Sequence, residues 1–136
     1  EILKEKGIDT GIICENGTMG MSATEHFSSG EKTNTLTSTK MHKVELSENA
    51  EICSYIEDSG EKMPVFYKYQ NADGLKFAVF TFDAYSAEEH IFRNYERQKQ
   101  VIDALQWLSG KKLPAVCAGH PDLYVLTKKS ENILLK

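Results

Sequence analysis

The stretch that most constrains this chain runs from Met63 to Gly110, where two apolar strands lead directly into one long helix. Val65, Phe66, Tyr67 and Tyr69 precede Asn71-Ala72-Asp73-Gly74, and Phe77, Ala78, Val79, Phe80 and Phe82 follow. Aromatic and β-branched residues on both sides of a Gly-containing turn predict a hairpin. In its second strand Phe77, Val79 and Thr81 alternate with Ala78, Phe80 and Phe82. Both faces are largely apolar, which predicts a central strand covered on two sides. Ser86-Ala87-Glu88-Glu89 sets a Glu three residues after a Ser, a capping box that opens a helix over about 87–109. At 1.5 Å per residue it would be roughly 34 Å long. Ile91, Tyr95, Gln98, Ile102 and Leu105 form its expected apolar stripe, widened by Val101 and Leu108. Glu96, Lys99, Gln100 and Asp103 fall on the far face, Gly110 suits the C′ position, and Pro114 prevents continuation.

The flanks read as shorter pieces. Glu1 to Lys6 resembles the end of a helix with Gly7 at C′. Gly11 to Cys14 is a short strand, Glu15 to Gly20 a turn built on Asn16-Gly17, and Met21 to Phe27 a further strand. Asn16-Gly17-Thr18 also matches a glycosylation sequon, but the turn reading is preferred. Thr33 to Thr39 has the composition of an exposed edge strand. His42 to Leu46 and Glu51 to Ile56 alternate as strands with one wet face. Turns are expected at Ser47 to Ala50 and at Asp58 to Lys62, and Pro64 should begin or edge the strand that follows. From Lys111 onward the texture becomes all-β, with strands at Leu123 to Thr127 and Ile133 to Leu135.

The fold class expected is therefore α/β to α+β. It comprises a mixed β-sheet, one long amphipathic helix and β-sandwich-like flanking strands. Residues 1–110 form an α/β segment with a β-rich insertion at about 15–60, and 111–136 open an all-β region. Both ends fall inside elements, so the chain reads as a segment of a longer protein.

Composition excludes several roles. At 136 residues the chain can bury roughly 68–70% of its unfolded surface, enough for a core without staples. Its net charge of −4, with no basic run, argues against nucleic acid as a partner. No apolar run approaches the roughly 18 residues that span a bilayer, so a membrane is not expected as a partner. No signal peptide is visible, and a cytoplasmic location is expected. Cys14, Cys53 and Cys117 are widely spaced and contain no Cys-x-x-Cys, which predicts reduced thiols.

Catalytic motifs are missing from the sequence. It contains no Gly-x-Gly-x-x-Gly, Walker loop, His-Glu-x-x-His or Gly-x-Ser-x-Gly, and no cofactor is expected. His26, His42, His90 and His120 lack metal-ligand spacing, and the Cys117/His120 pair has no second half. No catalytic or metal residue is assigned. Glu88 and Glu89 are explained by the helix dipole. Asp83 ends an apolar strand just before Tyr85, where a carboxylate can stand in a cleft. The structural alternative, an ion pair with Arg93 or Arg97 or bonds to the helix start, is preferred. Asn94, Tyr95, Arg97 and Gln98 make a polar patch that could hold a sugar or anchor a neighbouring loop, and the anchor is preferred. Asp83, Tyr85, Asn94 and Arg97 are thus the candidate binding residues, and Trp107 is read as core.

Pro64 to Gly74, Phe77 to Asp83, Asn94-Tyr95-Glu96-Arg97-Gln98, Ala104 to Gly110 and His120-Pro121-Asp122-Leu123-Tyr124 carry a resemblance. Together they resemble the C-terminal accessory region of bacterial glycoside hydrolases of the β-galactosidase-like kind. In that region a glutamine-amidotransferase-like domain without its catalytic Cys runs into a β-sandwich. Leu3 to Gly7 before Gly11-Ile12 is similar to the helix-to-strand step of that domain. The resemblance implies that the catalytic carboxylates lie in a barrel upstream of residue 1. It also implies a non-catalytic structural or assembly role in carbohydrate metabolism. The implied partners are the rest of the parent polypeptide, a second copy of the chain and carbohydrate. The rival reading is a carbohydrate-binding module that stacks sugars on Tyr67, Tyr69, Tyr85 or Trp107. A third reading is a small hydrolase working through Asp83 with Arg97.

Overall fold

The computed structural model describes residues 2–28, 33–83 and 90–113. A short helix, α1 (Ile2–Glu5), ends as the sequence predicts. Gly7 takes φ 68°, and the Ile8 N–H donates to the Leu3 carbonyl at 2.9 Å, which caps the last turn. Five strands follow: β1 (Ile12–Phe27), β2 (Thr33–Leu46), β3 (Glu51–Asp58), β4 (Glu61–Gln70) and β5 (Lys76–Phe80). They form one sheet in the order β2-β1-β3-β4-β5, and every pair in it is antiparallel. Two helices, α2 (His90–Arg93) and α3 (Tyr95–Ser109), complete the described chain.

The class is α+β, dominated by sheet. Antiparallel pairing corrects the expectation of an α/β, mixed sheet. The strands are joined by two to five residues, whereas a parallel pair needs a crossover of roughly a dozen. The region from Pro114 onward, with its expected strands, lies outside the described residues. So does the Ser86 capping box.

Local chemistry explains the turns. Asp58 pairs with Glu61 around Ser59 (φ 53°) and Gly60 (φ 87°), two left-handed residues whose twist suits a two-residue hairpin loop. The β4–β5 turn is built on Asn71. Its carbonyl accepts from the Gly74 N–H at 3.0 Å, and its side-chain oxygen accepts from the Leu75 N–H at 2.9 Å.

Three expectations about the strands need correction. Asn16-Gly17 is not a turn between two strands but a bulge inside one, since the β1–β2 register slips between Glu15 and Thr18 with Gly17 at φ 91°. A bulge and a turn both recruit residues that accept positive φ, so the dipeptide cannot tell them apart. Pro64 lies within β4, between two neighbours. The register skips beside it, from Ser54↔Phe66 to Tyr55↔Pro64, and a bulge is where an inner strand tolerates a missing N–H. Finally, β5 is the last strand of the sheet rather than a central one, and β4 carries the buried run Pro64 to Tyr67. Apolar residues on both faces report covered faces and say nothing about neighbours at the edges.

The sheet curls until its two ends meet. Beyond β5 the Thr81 N–H still donates to Val65 of β4 at 3.0 Å, but Phe82 bridges to Met41 of β2. Around that bridge the His42 N–H donates to the Thr81 carbonyl at 2.7 Å, and the Asp83 N–H to the Lys40 carbonyl at 2.9 Å. Met41, Ile56, Val65, Phe82 and Ile91 form the core inside this curl, with Met19, Ala23, Met63 and Phe80 packed around them.

The helix is also corrected. Its expected single span is interrupted at Asn94, which caps α3. Gly110 at φ 65° ends α3 as predicted. The face α3 turns to the sheet is not the expected apolar stripe, although Lys99 and Asp103 of the expected wet face do stay exposed. Glu96, Arg97 and Ala104 are buried, while Tyr95 and Leu105 are 39% and 48% exposed. At 100° per residue the helix is rotated by roughly a third of a turn from the orientation its apolar stripe suggests.

Candidate functional site

The cause of that rotation is a charged cluster between α3 and β1. On β1, Glu25 interrupts the alternating row Ala23, Glu25, Phe27 and is fully buried. On α3, Asn94 holds an extended backbone (φ −66°, ψ 133°), and its side-chain oxygen accepts from the N–H groups of Glu96 and Arg97 at 2.9 and 3.2 Å. That cap fixes the first turn so that Arg97 faces the sheet. Arg97 Nη2 donates to Glu25 Oε2, and Nη1 donates to Gln100 Oε1. Both charged side chains are 0% exposed. The guanidinium lies 5.3, 5.0 and 5.7 Å from the ring centres of Phe27, Phe80 and Phe82.

Burial pushes the Arg97 pKa down from its ordinary value, and the Glu25 carboxylate opposes that shift. Desolvating two charges costs several kcal/mol per ion, offset here by their mutual attraction and by the ring faces. Glu25 Oε1, Arg97 Nε and Gln100 Nε2 are buried without a hydrogen-bond partner among the described residues. An ion pair closed to solvent and roofed by aromatic rings orients a helix. It has no face to offer a substrate.

Beside the cluster, Ser28, Cys53, Phe66, Lys68, Gln100 and Asp103 line a cavity of about 180 Å³. The Cys53 thiol is pushed up to about 11, chiefly by burial, so it stays protonated at neutral pH and is a poor nucleophile. Lys68 pairs with Glu51 at 2.8 Å. With Lys76 it flanks the half-buried Trp107, their amino groups 5.7 and 5.0 Å from the ring centre. Lys76 also donates to the Trp107 carbonyl at 2.8 Å. A larger groove of about 720 Å³ runs between β2, β3 and β4, lined among others by Lys43, Glu45, Glu48, Asp58, Glu61 and Lys62.

Three of the four candidate residues, Asp83, Asn94 and Arg97, lie among the described residues. Arg97 is sequestered, and the carboxylate it meets is Glu25. Asn94 caps a helix. Asp83 is half-buried at the strand closure, and Tyr85 lies outside the described residues. Tyr67 and Tyr69 are buried, with hydroxyls donating to the Thr10 carbonyl at 3.1 Å and to Asp9 at 2.6 Å. Among the histidines, His42 meets Glu15 at 2.6 Å and His26 stacks on Tyr55. Cys117 and His120 are outside the described residues. Among the described residues, no group of three or more His, Cys, Asp or Glu side chains could hold a metal ion, and no helix is long and apolar enough to cross a membrane.

Sequence reasoning missed Glu25. Its signal was present, a single carboxylate at an inward position of an apolar period-two row. Compared with known proteins, the chain matches no family model, no curated sequence and no solved structure.

Proposed function

We propose that this chain is a non-catalytic structural or assembly domain of a carbohydrate-active glycoside hydrolase. On this reading it corresponds to the amidotransferase-like segment that leads into a β-sandwich in such enzymes. The observation that carries the assembly role is the orientation of the helices. With Glu96, Arg97 and Ala104 of α3 turned inward, Phe92, Tyr95, Leu105 and Leu108 remain 40%, 39%, 48% and 39% exposed. Large apolar side chains left partly outside along α2 and α3 offer apolar area that another polypeptide body could cover. The absorption of Asn94 and Arg97 into the fold supports the same reading, because it removes two groups a sugar site would use.

Leu105→Glu tests it. In the complete polypeptide the variant should lose oligomer or interdomain contacts by sedimentation velocity, while its own melting temperature changes little. Unchanged assembly in that variant would sink the reading. The domain alone should leave aryl glycosides intact, since glycoside hydrolysis needs two carboxyl groups roughly 5–10 Å apart across the scissile bond. Turnover by the isolated chain, abolished in Asp83→Asn, would replace the assembly role with the small-hydrolase reading.

A further inference from the structure

We propose that the β1 bulge is a site of covalent self-modification, in which Asn16 converts to aspartate and isoaspartate through a cyclic imide with Gly17. The inference is independent of the assembly role. Asn16-Gly17 is the only Asn-Gly step in the sequence. Both residues are exposed, and the slip between Glu15 and Thr18 leaves them without register partners on β2. A Cβ built on Gly17 would meet nothing within 4 Å, so the peptide after Asn16 is sterically open to attack on the side chain.

The bulge also supplies an electrophilic assist. The Cys14 thiol, two residues back on the same strand, donates to Asn16 Oδ1 at 3.0 Å. Negative charge develops on that oxygen when a nucleophile adds to Cγ, so the donor is aimed at the atom that needs it. In the step itself the Gly17 amide nitrogen gives up its proton to water and bonds to Asn16 Cγ. The Cγ–Nδ2 bond breaks, and ammonia leaves with a proton from water. Water then opens the imide at either carbonyl. One opening leaves Asp at position 16. The other leaves isoaspartate, which adds a carbon to the backbone path of the bulge. Either product takes the net charge from −4 to one unit more negative. A bulge already carries unpaired length, so the added atom is accommodated there without breaking the flanking pairs.

The test is incubation of the full chain at mildly alkaline pH, followed by peptide mapping and isoaspartate detection. Asn16 should convert faster than every other Asn, and Asn16→Gln should remove the isoaspartate signal. Cys14→Ala should slow conversion about threefold, the effect expected of one weak, exposed hydrogen-bond donor. Circular dichroism checks that this variant is folded. In urea the wild-type and Cys14→Ala chains should convert at equal rates, because the thiol acts through the folded bulge. Conversion elsewhere with Asn16 intact overturns the site. An unchanged folded-state rate in Cys14→Ala, or equal slowing in urea, overturns the role of the thiol.

Discussion

Glu25 and Arg97 form an ion pair whose two side chains are both fully buried. Removing one partner leaves a buried charge uncompensated, so Arg97→Met or Glu25→Leu alone should cost roughly 3–5 kcal/mol in urea unfolding. The double variant should recover most of that loss, since well-packed apolar replacements of a buried pair are often neutral or stabilising. Strictly additive losses would mean that the pair is not one energetic unit. A second residue-scale contact sets an acid limit. Asp9 accepts from the Tyr69 hydroxyl and from the Gly11 N–H at 2.9 Å, and these bonds hold its carboxyl below its ordinary pKa. A depressed folded pKa contributes stability that is present above the unfolded value and lost as pH falls through the folded one. Tyr69→Phe should therefore raise the pH at which Asp9 titrates by NMR. An unmoved titration would show that the hydroxyl does not hold the carboxylate. At the alkaline end, burial raises the Tyr67 hydroxyl to about 12, so its contribution is intact below 10.0 and fades as pH rises through about 12.

At the scale of elements, α3 depends on Asn94. Asn94→Ala should cost about 1 kcal/mol by loss of its two backbone bonds, whereas Asn94→Ser should restore most of it. Equal losses in both variants would place the role of Asn94 elsewhere. Ile102, half-buried on the outer flank, should lose only about 1 kcal/mol on change to Ala. A cost of several would return that stripe to the core. These two residues show how far the sequence could be read. The hairpin with its Asn71 turn and the Gly110 stop depend on neighbours a few positions away, so both are legible. The rotation of α3 is set by a residue 72 positions upstream, and a helical apolar stripe holds no trace of it. The same limit hid β5 at the edge, because periodicity describes faces and not neighbours. It also hid the continuity of β1, because Asn-Gly serves bulges and turns alike. The sequence offers Arg97 the nearby Asp83 as an ion-pair partner, and the carboxylate it meets is the distant Glu25.

For the whole molecule, the joining of Met41 to Phe82 sets an order of events. The hairpins β1–β2, β3–β4 and β4–β5 close over short loops, but the bridge between residues 41 and 82 must wait until all five strands are in place. Long-range pairing of this kind is slow to form, because loop entropy is lost before the contact rewards it. The seam should therefore be the last part to assemble and the first to open. Mutations there should act on escape from the native state rather than on entry into it. Met41→Ala should accelerate unfolding while leaving the refolding rate nearly unchanged, the signature of contacts absent at the transition state. In hydrogen exchange the amides of His42 and Asp83 should lose protection before those of β4. Equal protection at the seam and in β4 would mean that the sheet opens as a single cooperative unit.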